Sequence, residues 1–176
     1  MLALTAAGAC LGMLYGAAHD QITYTLGPEY FTRLKFHQFA WADIGLPPRA
    51  FAAEIGLLAV GWIGACAGWL LARVAVPAWE TRAAARHVLI GLGIMLIFAL
   101  AGGLAGHGLG CMLGVDSDLS NWEPFLETLG IQNDVRFVHV AYIHDAGYLG
   151  GLLGIATALA WLLRKRAARQ GRLPKS

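Results

Sequence analysis

Four long apolar segments constrain the fold of this chain more than any other feature of its sequence. They cover residues 2–19, 51–71, 88–106 and 140–163. Each is close to the ~20 residues that an α-helix needs to cross the hydrocarbon core of a bilayer. With 57% hydrophobic and 14% charged residues, the chain also differs from a typical soluble domain. The sequence therefore predicts an all-α fold, an antiparallel four-helix membrane bundle that forms one domain over residues 1–176.

The basic residues lie mostly on one side of the predicted membrane. Nine of the 13 occupy the connection between the second and third segments or the tail over residues 164–176, where Glu80 is the one acid. The positive-inside rule then predicts cytoplasmic termini and outer loops over residues 20–50 and 107–139. We expect a bacterial inner-membrane protein that contacts the lipid bilayer and does not bind nucleic acid. The nine are Arg73, Arg82, Arg86, Arg164, Lys165, Arg166, Arg169, Arg172 and Lys175.

A cleaved signal peptide is the competing interpretation of the first apolar segment. The small residues Gly16, Ala17 and Ala18 resemble a cleavage site, but no basic residue precedes the apolar run. Cleavage would leave only three of the four predicted helices. We therefore expect the first segment to be retained.

Glycines recur at helical spacing in each apolar segment and lead to an ionisable residue at the predicted outer end. Small residues at this spacing mark close helix–helix contacts in lipid. Ionisable groups on the same face should then point into the bundle, where they are costly unless paired or bound. The pattern predicts that His19, Glu54, His107 and His144 converge. The glycines are Gly8, Gly12 and Gly16 before His19; Gly61, Gly64 and Gly68 after Glu54; Gly103 before His107; and Gly147, Gly151 and Gly154 after His144.

Imidazole and carboxylate groups together form binding sites for transition metals. Sets of two histidines and one carboxylate with open positions hold catalytic iron, and similar sets hold zinc or copper. We predict a metal site of His19, His107 and His144, with Glu54 as its carboxylate and His139 in reserve. Asp20 and Asp145 are further candidate ligands. Cys111, four residues after His107, could be a soft ligand but is expected to be structural.

Several polar residues near the predicted outer ends of the helices are candidates for contacting a bound cofactor. They could donate hydrogen bonds to metal ligands or carry protons. A b-type haem held by two histidines is a variant of the same prediction. The candidates are Tyr24, Glu29, Tyr142 and Tyr148.

Both outer loops are predicted to carry short interfacial elements, and two features of the first loop indicate its local structure. The run Thr23-Tyr24-Thr25 favours extended structure. Pro28 and Glu29 then favour the start of a short helix, with proline at its first position and an acid in its first turn. The aromatic residues that follow would suit the membrane interface.

Three runs of residues resemble a family of small bacterial four-helix membrane proteins. They are HDQITY at 19–24, PEYFTRLKFHQF at 28–39 and HDAGYLGG at 144–151. The resemblance implies the four-helix fold and does not imply a reaction. Asparagine is usual in that family at the positions of Asp20 and Asp145. The resemblance therefore implies that His19 and His144 are the more important ligands.

Three classes of function remain open from the sequence. A metal-binding membrane protein, such as an oxidoreductase, would use the histidines and carboxylates as ligands. An accessory or scaffold subunit, assembled with itself or with a membrane complex, would use the same groups as a buried network of hydrogen bonds and salt bridges. Arg33, Lys35 or Arg136 could reach into this network. A transporter would need a polar path, yet the cytoplasmic halves of the segments are almost entirely apolar. The sequence does not indicate a substrate.

Overall fold

The computed structural model describes residues 1–114 and 116–171, and it contains four long helices. These are Leu2–Leu26 (α1), Pro48–Ala75 (α2), Thr81–Cys111 (α3) and Asp134–Gln170 (α4). Each contains one of the predicted apolar segments, and each is long and apolar enough to cross a membrane. The described residues form no β-strand. The prediction of an all-α chain with the helices of a multi-pass membrane protein is therefore confirmed.

The helices are longer than the apolar segments that predicted them. The fourth continues to Gln170, so most of the predicted basic tail is helical. Lys165 in this extension lies over the Trp161 ring, 5.1 Å from its centroid. Arg172 and Lys175, which also contributed to the predicted topology, lie outside the described residues.

Helices α1 and α2 pack through their glycines. A Cβ atom added at Gly8 would overlap the backbone of Gly64, and one added at Gly16 would overlap the backbone of Gly56. At Gly12 the nearest atom would be the carbonyl oxygen of Val60, at 2.5 Å. This approach is possible only without side chains, as the glycine spacing predicted.

Helices α3 and α4 form the second close pair. Of the predicted glycines, Gly154 lies against the backbone of Met95, but the other close contacts use different glycines. Gly102 and Gly106 of α3 lie against the backbone of α4, and Gly150 of α4 lies against the backbone of α3. A Cβ atom added at Gly103 or at Gly151, the predicted contact positions, would lie 3.9 Å from its nearest neighbour. This is ordinary van der Waals contact, so neither position requires a glycine. The prediction for these two positions was wrong by one residue, which turns the contact face by about 100°.

The chain between α1 and α2 folds back onto the helices. It is helical from Pro28, as predicted, and its π-helical stretch Tyr30–Lys35 buries Phe31 completely. Glu29 connects this segment to the start of α4, because its carboxylate accepts hydrogen bonds from the backbone N–H groups of Gln132 and Asn133 at 3.0 and 2.8 Å. The segment is therefore part of the packed structure beside His144.

The prediction of extended structure at Thr23–Thr25 was wrong, because α1 continues to Leu26. The hydroxyl groups of Thr23 and Thr25 donate to the carbonyls of His19 and Gln21, one turn earlier, at 3.1 and 2.9 Å. These bonds satisfy both hydroxyls inside the helix, so the β preference of threonine is overridden.

Candidate metal centre

His19 and Asp20 near the end of α1 meet His144 of α4. Nδ1 of His19 lies 3.1 Å from Oδ1 of Asp20, and Nε2 of His144 lies 3.9 Å from the same oxygen. One potential ligand atom from each residue lies within 4.8 Å of the other two. Asp20 and His144 are only 4% and 2% exposed. This set, called the His19 group below, brings two imidazoles and one carboxylate together in a buried position.

The ring of His144 is held in one orientation by its neighbours. Its Nε2 lies 3.2 Å from the hydroxyl of Thr23, and its Nδ1 lies 3.2 Å from the hydroxyl of Tyr148. Tyr30 of the π-helical segment stacks on the ring with 4.7 Å between centroids. Since the Thr23 hydroxyl donates to a carbonyl, it accepts from Nε2–H, and the Tyr148 hydroxyl then donates to Nδ1. This arrangement corresponds to a neutral imidazole.

The imidazole of His19 is positioned by Asp20. With Nδ1 donating to the carboxylate, the lone pair of a neutral ring lies on Nε2. Within the described part of the chain, this nitrogen makes no hydrogen bond to the protein. His19 also lines a cavity between the helices, so a molecule bound in this cavity can reach its imidazole ring.

An interhelical cavity of about 380 Å³ begins at the His19 group. Most of its wall is apolar and comes from all four long helices. Gly147 and Gly151, two of the three predicted contact glycines of α4, line this cavity. Its polar side chains gather near the His19 group. They are Tyr15, His19, Asp20, Lys35, His144 and Tyr148.

Lys35 provides a positive charge beside the His19 group. Its ammonium nitrogen lies 5.6 Å from the centroid of the Tyr30 ring and 5.9 Å from that of Tyr148. Burial lowers the pKa of Lys35, and the charges of Asp20 and Asp145 oppose this shift only in part. Burial likewise raises the pKa of Tyr30, so this tyrosine stays protonated. The cavity therefore carries an amine that loses its proton more readily than a solvated lysine does.

The structure does not bring the four predicted residues His19, Glu54, His107 and His144 into a single site. His107 instead pairs with His139 and Cys111, forming a second set called the His107 group below. Glu54 belongs to neither set, and its buried Oε2 has no hydrogen-bond partner among the described residues. Because His139 and His144 are five residues apart on α4, they point to different sides of that helix. The helical periodicity therefore separates the two groups.

The other candidate residues are spread over the same end of the bundle. Asp145 is exposed, although its charge acts on Lys35. Tyr24 packs against Phe31 with 5.5 Å between ring centroids, and Tyr142 packs against Trp122 with 6.0 Å. Glu29 binds backbone N–H groups before α4, as described above. Of the four predicted cofactor contacts, only Tyr148 touches the His19 group.

Two residues that hold the His144 ring were missed by the sequence analysis. Thr23 could have been found, because it lies one helical turn after His19 and shares its face. Tyr30 comes from the segment that folds back over α4, and no local pattern in the sequence indicates that contact.

Comparisons of this chain with protein-family models, with curated proteins and with solved structures found no significant match. The resemblance to small bacterial four-helix membrane proteins stays a prediction. The assignment of function therefore depends on the geometry of the two groups.

Proposed function

We propose that this chain is a multi-pass inner-membrane protein that binds a divalent transition metal or zinc at the His19 group. The four apolar helices and the uneven distribution of basic residues support membrane insertion with cytoplasmic termini. The glycine contacts support antiparallel packing, because Gly8 meets Gly64 while Gly16 meets Gly56. Metal binding is the part of the proposal that assigns a chemistry.

The main support is the spacing of the ligand atoms. An ion ~2.1 Å from each nitrogen or oxygen needs ligand atoms roughly 3.0–3.4 Å apart. The observed distances from Oδ1 of Asp20 are 3.1 Å to Nδ1 of His19 and 3.9 Å to Nε2 of His144. Nδ1 of His19 can bind the ion once its proton has moved to Nε2. One ligand atom from each of the three residues lies within 4.8 Å of the other two, so rotations of the side chains would bring them to one ion. Asp20 then takes the role that the sequence analysis gave to Glu54.

Tyr148 would support the metal-bound form of His144. If Nε2 binds the ion, the hydrogen bond to Thr23 is lost and the ring proton moves to Nδ1. The Tyr148 oxygen, 3.2 Å from Nδ1, would then accept a hydrogen bond from Nδ1–H. A ligating histidine usually donates its second N–H in this way, which fixes the ring and makes it a better ligand.

The donor set favours a single ion with open coordination positions. Two imidazoles and one carboxylate are the ligands of mononuclear iron sites, and zinc or copper also accepts them. A haem between His19 and His144 fits less well, because these rings meet edge to face with only 4.7 Å between centroids. The remaining positions of the ion would face the largely apolar cavity. We propose a metal-dependent oxidoreductase whose substrate is lipid-soluble.

The proposal is tested by metal analysis of the protein purified gently in detergent. His19→Ala, Asp20→Ala and His144→Ala should each remove most of the metal bound by the His19 group. His87→Ala is the matched control, because His87 stacks on Trp79 and belongs to neither candidate metal group. Metal content should fall with decreasing pH, since protons compete for the same nitrogens.

An accessory or scaffold role is the second candidate, and the bonding of His144 favours it. Both of its ring nitrogens have protein partners, so the group also works as a buried hydrogen-bond network. If His144→Ala leaves the metal content unchanged but lowers thermal stability, the scaffold role is correct and the metal proposal is wrong.

A further inference from the structure

A histidine and a cysteine lie one turn apart near the end of α3. His107 and Cys111 share a helix face, and Sγ of Cys111 lies 3.5 Å from Nε2 and 4.0 Å from Nδ1 of His107. His139 of α4 reaches the same place, with its Nε2 2.9 Å from Nδ1 of His107. The two rings stack with 4.9 Å between centroids. Three potential ligands from two helices therefore meet.

Gly110 makes room for this contact. A Cβ atom added there would overlap the ring of His139, so any other residue would push the imidazole away. Gly106, one turn earlier, lies against the backbone of α4 and brings the two helices together. The position of His139 beside Cys111 thus depends on both glycines.

The spacing suits a small ion bound by one sulfur and two nitrogens. Tetrahedral zinc with Zn–N of ~2.1 Å and Zn–S of ~2.3 Å needs nitrogens roughly 3.4 Å apart and sulfur roughly 3.6 Å from each nitrogen. The pairs here are 2.9 Å for His107 Nδ1 and His139 Nε2, and 4.0 Å for Cys111 Sγ and His107 Nδ1. Each of these two separations would change by about 0.5 Å or less on binding one ion, and one ligand atom from each of the three residues already lies within 4.8 Å of the other two.

We propose that His107, Cys111 and His139 bind a thiophilic ion, zinc or copper(I), at a second site. A thiolate with two imidazoles favours these ions over magnesium, calcium or manganese. Cys111 is exposed, so the ion can reach the site and keep an open position. The acidic loop that follows α3 would attract cations, and Asp118 stays ionised because hydrogen bonds from Ser120 lower its pKa. This proposal does not depend on metal binding at the His19 group.

Cobalt(II) is the probe for this site, because a cobalt–thiolate bond gives a near-ultraviolet charge-transfer absorbance. The full-length protein in detergent should show this band, and zinc or copper(I) should displace it. Cys111→Ser and His139→Ala should abolish the band. The double variant Cys10→Ser/Cys66→Ser should keep it, and so should His144→Ala, which tests the other group.

The alternative is a simple hydrogen bond between two neutral imidazoles. Absence of the band in the wild-type protein, or its survival in Cys111→Ser, would overturn the proposal. Alkylation of Cys111 by a maleimide gives a second measurement that does not require a spectrum. Zinc should slow this reaction at least about ten-fold in the wild-type protein and not in His139→Ala. Equal rates with and without zinc in the wild-type protein would also contradict the site.

Discussion

The His19 group and the His107 group contain similar side chains in opposite environments. The first is buried between α1 and α4, where Thr23, Tyr30 and Tyr148 hold the His144 ring and Asp20 holds His19. The second lies at the surface of one helix pair, with an exposed thiol. Burial in the first group restricts access to molecules that fit the cavity, whereas exposure in the second allows direct exchange with solvent. The first group is therefore suited to a reaction with a molecule bound in the cavity, and the second to binding an ion that exchanges with solvent.

The largest expected effect comes from separating the two helices of one close pair by mutation. Gly16→Leu should prevent the close contact of α1 with Gly56 and displace His19, at a cost on the order of 3 kcal/mol. Its thermal stability in detergent should fall and metal at the His19 group should be lost. The His107 group lies between α3 and α4, so its cobalt–thiolate band should remain.

Two control variants complete this test. Gly106→Leu should have the opposite effect, and it should remove the cobalt–thiolate band more readily than the metal bound by the His19 group. Ala156→Leu, at an exposed position of α4, should leave both groups intact. If Gly16→Leu and Ala156→Leu are equally stable, the glycine contacts are not the interfaces described here.

Lys35 distinguishes the two groups electrostatically. Lys35→Met removes a positive charge beside the His19 group and should raise its metal affinity roughly five-fold, a change of ~1 kcal/mol. The His107 group should be unaffected. Metal affinities measured by chelator competition would show the difference, with Lys165→Met as the control at the other end of α4. Unchanged affinity in Lys35→Met would mean that this ammonium does not act on the ligands.

The same lysine gives a pH dependence with a definite sign. A lysine is charged below its pKa, and burial lowers the pKa of Lys35. The repulsion of a bound cation should therefore disappear at a lower pH than for an ordinary lysine. The rise in metal affinity on going to alkaline pH should be steeper in the wild-type protein than in Lys35→Met.

The smallest expected effect is at Glu54, the carboxylate that the sequence analysis assigned to the metal. Glu54→Gln should leave the metal content of both groups unchanged, because Glu54 belongs to neither. Its buried oxygen without a partner suggests a gain in stability of about 1 kcal/mol or less. A fall in metal content would show that Glu54 is a ligand after all and that the grouping described here is incomplete.

The helices could be predicted from the sequence because their cause is local. An apolar run of sufficient length and glycines every four residues are visible without knowledge of the fold. The contact face was less certain, since adjacent glycines such as Gly102 and Gly103 offer two faces about 100° apart. Only the packing against α4 decides between them, and it selects Gly102.

The candidate site could be predicted in part for the same reason. His19, Asp20 and His144 were all proposed as ligands, but the sequence could not tell how they would be grouped with His107 and His139. That division depends on how each helix is rotated about its axis. An error of one residue in the predicted contact face turns the helix by about 100°. The contribution of Tyr30 and Lys35 depends on a non-local fold of the loop. Cys111 was expected to be structural, because its sequence neighbours do not show that Gly110 makes room for His139 beside it.

The close glycine contacts leave the molecule as two tightly joined pairs, with α1 touching α3 and α4 at few points. His19 and Asp20 belong to one pair and His144 to the other. A metal or substrate bound between them would act as a cross-link, so the free energy that joins the pairs would rise with ligand concentration. The protein would then become more rigid when its ligand is abundant. When the ligand is scarce, the cavity would open sideways between α1 and α4, which gives a lipid-soluble molecule a way in from the bilayer.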